Sequence, residues 1–104
     1  MNTKDSILIV DDDRAFRVAT VALLQDAGYA VEAVPKASDA LELLRKRDFD
    51  LVISDLVMEE MNGIELLRRV RQEHPALTVL MVTGFGSIQT AVDAMRLGAY
   101  DYVT

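Results

Sequence analysis

A chain of 104 residues, 51% of them hydrophobic and 27% charged, has room for one small domain with one modest core and is too apolar for a disordered segment. Its formal net charge of −6 argues against direct binding to nucleic acid, which needs a cationic surface. The lack of cysteine excludes disulfides and thiolate metal sites and suits a reducing cytoplasm, and the polar opening MNTKDS, followed by four apolar residues, is neither a signal peptide nor a membrane span.

Short apolar runs begin at Ile7, Ala30, Leu51, Thr78 and Tyr100, with longer amphipathic segments between them. The runs ILIV, LVIS and TVLMV are nearly continuous and rich in branched side chains, the pattern of parallel strands covered on both faces. After the first run, Asp13 is placed to cap a helix carrying Phe16, Ala19, Leu23 and Leu24 on one side and stopping at Gly28, a suitable left-handed residue. Ser38 is expected to cap a second helix with Ala40, Leu41 and Leu44 inward, and the cations Arg45, Lys46 and Arg47 suit the negative end of its dipole. Gly63 opens a third helix that buries Ile64, Leu67 and Val70 and ends before Pro75. Ser87 caps a fourth, with Ile88, Ala91, Val92 and Met95 on one face and Gly98 at its end, and AYDYV reads as a fifth strand. Strands alternating with helices in this way predict an α/β fold, a parallel sheet with helices on both faces, because each crossover must be right-handed.

In open sheets of this kind the working site lies beyond the C-terminal ends of the strands, where strand order reverses. Asp11 and Asp12 follow the first strand, Asp55 ends the third, and Thr83 with Gly84 follows the fourth. Three carboxylates converging there would repel one another and raise one another's pKa unless a cation joined them. A ligand set of oxygens without histidine or cysteine selects a hard ion, and few carboxylates completed by water favour Mg²⁺ or Mn²⁺ over Ca²⁺. Such a site suits phosphoryl transfer to an aspartate, giving an acyl phosphate. Thr83 offers a hydroxyl, and the peptide N–H groups of Leu56 and Gly84 are placed to donate to phosphate oxygens.

The segments ILIVDDD, DLVISDLVMEEMNG and VLMVTGFGSIQTAVDAMRLGAYDYVT together resemble the receiver domain of two-component response regulators, over essentially the whole of residues 1–104. The resemblance implies a CheY-like, flavodoxin-like five-stranded sheet in the order 2-1-3-4-5. It implies that Asp55 accepts a phosphoryl group from a sensor histidine kinase and that Asp11, Asp12, Asp55 and the carbonyl of Val57 hold Mg²⁺. Thr83 and Tyr102 would be the switch pair, altering the surface of the fourth helix and fifth strand. The wording TGFGSIQTAVDAMRLGAYDY is most similar to receivers of the nitrogen-regulator type, which precede an ATPase and DNA-binding output that controls transcription. A cytoplasmic phosphoprotein that is not a turnover enzyme is the expectation. The family's lysine after the position of Thr104, and its last helix, are not in these 104 residues. An uncovered apolar face is therefore expected, with a homodimer or element exchange between chains, and a receiver that no longer signals but serves as an association module is the alternative. A Mg²⁺-dependent phosphatase with an aspartate nucleophile would want a second aspartate where Val57 stands, and a flavin module would not place three aspartates against phosphate. Asp13 is read as a cap alone, the arginines Arg68, Arg69 and Arg71 as a solvated helix face, and the lone His74 as a solvated loop residue.

Overall fold

The computed structural model describes residues 5–55, 63–82 and 101–103. Five parallel strands, β1 (Ser6–Val10), β2 (Ala30–Val34), β3 (Leu51–Asp55), β4 (Thr78–Val82) and β5 (Asp101–Val103), form one sheet in the order β2-β1-β3-β4-β5. Three helices are described, α1 (Arg14–Asp26), α2 (Ala37–Lys46) and α3 (Gly63–Glu73). The predicted doubly wound topology is therefore present, and each observed strand begins within one residue of its apolar run. The fourth predicted helix, Ser87 to Gly98, lies outside the described residues.

The core lies between the sheet and the α2–α3 pair. Leu8, Val10, Val52, Val79 and Met81 from the strands meet Ala37, Ala40, Leu41 and Leu44 of α2 and Leu66, Leu67 and Val70 of α3, all buried. In α2 the buried positions 37, 40, 41 and 44 follow the i, i+3, i+4, i+7 spacing of one helical stripe. That stripe explains a correction: Ser38 is not the cap. The helix begins at Ala37 because Ala37 is itself core, and the cap position falls on Lys36 in extended conformation, without a side-chain cap bond. Arg45 and Lys46 do occupy the last turn, as expected. In α3 Leu66 joins Leu67 and Val70 in the core while Ile64 is half-buried, so the inward stripe is rotated slightly from the predicted one.

The predicted facing of α1 holds for Phe16 and Leu24 and fails for Ala19 and Leu23. Asp13 caps it as expected, its Oδ1 accepting from the Phe16 N–H at 3.2 Å, and Gly28 follows its end at φ +101°. No residue of α1 is buried, however, and the half-buried side comprises Phe16, Arg17, Thr20, Val21 and Leu24, leaving Leu23 70% and Val18 62% exposed. Two other readings change near the third helix. His74 is half-buried rather than solvated: its N–H donates to the Val70 carbonyl and its Nε2 is secluded with no partner among the described residues. Arg71 is half-buried too, donating to the carbonyls of His74 and Pro75 at 3.4 Å, and burial pushes its pKa down. Arg68 and Arg69 do lie on an exposed face, paired with Glu65. No helix among the described residues is long and apolar enough to cross a membrane.

Candidate carboxylate site at the strand ends

The register of the sheet brings the acidic residues together. Val10 of β1 pairs with Ser54 of β3, so the next residue on each strand, Asp11 and Asp55, stands at the same level although 44 positions separate them in sequence. One ligand oxygen from each of Asp11, Asp12 and Asp55 lies within 4.8 Å of the others. Asp11 is buried, Asp55 half-buried and Asp12 exposed, a gradient running from the sheet out to solvent.

Asp11 is held on three sides. Its N–H donates to the Val34 carbonyl of β2 at 3.2 Å, its Oδ1 accepts from the Asp13 N–H at 2.8 Å, and its carbonyl accepts from Arg17 Nη1 at 2.8 Å. Burial pushes the Asp11 carboxyl above the usual carboxylate range. The Asp13 N–H opposes that shift, and the negative charges of Asp55, Asp12 and Asp13 add to it. Below Asp55, the buried Ser54 hydroxyl donates to the Asp55 carbonyl at 2.9 Å, which ties down the peptide of the strand's last residue.

The donors fit a hard divalent cation. All three are carboxylate oxygens, and opposite ligands of an octahedral Mg²⁺ stand roughly 4.2 Å apart, twice a bond of about 2.1 Å. An inward shift of roughly half an ångström would bring the widest permitted separation onto the ion. With three carboxylates the set is one richer than the one or two usual for Mg²⁺, and it leaves positions for water and phosphate oxygens to complete the shell.

Beyond the cluster, Val82, the register partner of Asp55, ends the described part of β4 directly before Thr83. Thr83, Gly84, Leu56 and Val57 lie outside the described residues, as do the side chain of Tyr102 and the surface of the fourth helix. The backbone of Tyr102 is placed beside Met81. Two contributors escaped the sequence reading, Ser54 and Arg17. For Arg17 the sequence carried only the general signal that a cation in the first turn of a helix opposes the dipole there, which Arg14 in the same turn shares.

A parallel sheet in this strand order with a carboxylate cluster at the ends of β1 and β3 defines a class of small α/β domains with an acidic crevice at the topological switch point. Comparison with known proteins narrows this: residues 7–104 match the model of the response regulator receiver domain, and the chain belongs to that family. It is 42% identical over 100 residues to the transcriptional regulatory protein ZraR of Salmonella typhimurium, an alignment covering 96% of this chain and 23% of that protein. The chain thus spans under a quarter of this relative's length. Among solved structures, a CheY-like receiver domain protein of Methanospirillum hungatei superposes with a TM-score of 0.94 at 34% identity, covering 97% of this chain and 81% of that one. A response regulator of Burkholderia pseudomallei, whose structure carries a phosphorylated aspartic acid, a calcium ion and citrate, superposes at 0.90 with 30% identity, covering 96% of this chain and 59% of that one.

Proposed function

We propose that this receiver domain takes a phosphoryl group from a sensor histidine kinase onto Asp55 in the presence of Mg²⁺, and that the phosphorylated state controls an output domain acting in transcription. The observation that carries the reading is the convergence of Asp11, Asp12 and Asp55 within 4.8 Å at the strand ends of a chain belonging to the receiver family. The phosphorylated aspartic acid and calcium ion in the Burkholderia pseudomallei structure support it, as does the transcriptional role in the name of ZraR.

In the proposed reaction an Asp55 carboxylate oxygen attacks phosphorus in line. A P–O bond forms, the P–N bond to the kinase histidine breaks, and the departing imidazole nitrogen keeps the electron pair. Asp11, Asp12 and Asp55, with the Val57 carbonyl as the resemblance implies, would hold the cation, which when bound would neutralise charge on the transferring group. Asp11 would do so from a fixed position, because its N–H, carboxylate and carbonyl are each bonded. Asp55 stands at the rim of the sheet, half-buried and reachable, on a peptide tied down by Ser54. Thr83 and the N–H groups of Leu56 and Gly84 would receive the phosphate oxygens, and Tyr102 would follow Thr83 as the switch aromatic.

The test is incubation with Mg²⁺ and acetyl phosphate or phosphoramidate, read by intact mass. A single phosphoryl adduct is expected for the wild type and none for Asp55→Asn. An adduct that persists in Asp55→Asn, or a folded wild type that binds Mg²⁺ yet gains no adduct, would overturn the assignment.

A further inference from the structure

Arg17 sits in the first turns of α1, where the helix dipole is positive and a cation is disfavoured. Its neighbour in that turn, Arg14, is exposed, whereas Arg17 is half-buried. The guanidinium is drawn back over the preceding loop, Nη1 donating to the Asp11 carbonyl at 2.8 Å in a partly buried contact, while its own N–H donates to the Asp13 carbonyl at 3.0 Å. The second of these is the ordinary backbone bond of the helix, so the guanidinium bond is the one that ties the Asp11 peptide to α1. The guanidinium bonds a backbone carbonyl, not a carboxylate.

The geometry points to Arg17 as a positioning residue for the cation site, holding the Asp11 peptide so that its carboxylate meets those of Asp12 and Asp55. This rests on the reading of that cluster as a Mg²⁺ site. A positioning role and a charge role predict opposite signs. Deleting a positive charge beside a cation site strengthens cation binding through the field, but releasing the Asp11 peptide weakens it, because the carboxylates must then be ordered at the moment of binding.

The decisive experiment is calorimetric titration of Mg²⁺ into wild type, Arg17→Ala, Arg17→Lys and Arg14→Ala. Amide hydrogen exchange at Asp13 is followed in the metal-free proteins. Removing an outer-shell partner of a metal ligand lowers affinity about 10- to 100-fold, and a contact made to backbone belongs at the low end. Arg17→Ala should therefore bind about tenfold more weakly than wild type. Arg17→Lys, which keeps a donor, should recover part of the loss. Arg14→Ala, which removes the same charge from the same turn without the contact, should bind at least as tightly as wild type.

Exchange of the Asp13 N–H, which donates to Asp11 Oδ1, should accelerate in Arg17→Ala and not in Arg14→Ala. Circular dichroism on each variant confirms a folded sheet at the titration temperature, and should Arg17→Ala fail to fold, the Arg17→Lys titration and its exchange data decide. Affinity in Arg17→Ala equal to or tighter than wild type would overturn the role of Arg17 alone. A wild type that binds no Mg²⁺ would overturn the cation site and this inference with it.

Discussion

Replacing Asp11 by asparagine removes the buried charge of the cluster while keeping an oxygen that can still accept from the Asp13 N–H. With ligand oxygens no more than 4.8 Å apart, each pair of unit charges repels by about 0.9 kcal/mol at the dielectric of water and about 3.5 kcal/mol at an effective value near 20. The exposed Asp12 belongs near the first limit, and the pair of buried Asp11 with half-buried Asp55 lies closer to the second. Against this relief stands the loss of charge assistance in the bond from the Asp13 N–H, roughly 1 kcal/mol. A net gain of about 1 to 2 kcal/mol should result for the metal-free protein, and for a domain of this size that raises Tm by about 5 to 10 °C.

The assay is thermal unfolding followed by far-ultraviolet circular dichroism at pH 7, low salt and with chelator. The pH dependence has a defined sign. Asp11 has its pKa raised in the folded protein, so the folded state holds this proton more tightly than the unfolded one. The associated stability is present below the unfolded pKa and is lost as pH rises through the folded one. The gap between Asp11→Asn and wild type should accordingly be open at neutral pH and close on acidification. High salt should narrow it as well. A variant no more stable than wild type at pH 7 and low salt, or a gap unchanged in acid, would refute the reasoning.

Two further substitutions probe the frame around the site. Asp13→Ala removes the cap of α1 and should cost about 0.5 to 1 kcal/mol in urea unfolding, because the bond to Phe16 N–H is exposed and 3.2 Å long, and Asp13→Asn should restore most of it. Gly28→Ala tests the turn between α1 and β2. An added Cβ would meet nothing within 4 Å, so the cost comes from φ +101° alone, and a loss of about 1 to 2 kcal/mol is expected by denaturant midpoint with an unchanged slope.

The strands and the acidic cluster were legible because their signals are local and redundant. ILIV, LVIS and TVLMV are strand-like at every position, and a carboxylate directly after a buried strand can hardly be anywhere but the sheet's rim. The facing of α1 was less legible, since Phe16, Val18, Ala19, Val21, Leu23 and Leu24 offer apolar residues all around the helix and only the sheet chooses among them. Ser38 misled because a good capping residue stood one position inside a stripe that the core had extended back to Ala37. His74 and Arg71 were misjudged because Arg71 folds back on the carbonyls of His74 and Pro75 and His74 shares a crevice with Leu44 and Phe49, which no periodicity records. Arg17 could have been suspected from its unfavourable place on the dipole, but its partner is a backbone carbonyl, and sequence patterns carry no mark for those.

The pairing of Val10 with Ser54 has a consequence for how this domain can vary. A slip of one residue between β1 and β3 would put Leu8 and Val52, now partners on one face, on opposite faces of the sheet and, in the same step, carry Asp11 out of level with Asp55. Hydrophobic fit and the proposed phosphoryl chemistry therefore depend on a single alignment, and neither can drift without the other. Substitutions that loosen the centre of the sheet should be seen first as weakened cation affinity, before any loss of helix content, which makes the carboxylate cluster a built-in gauge of strand alignment.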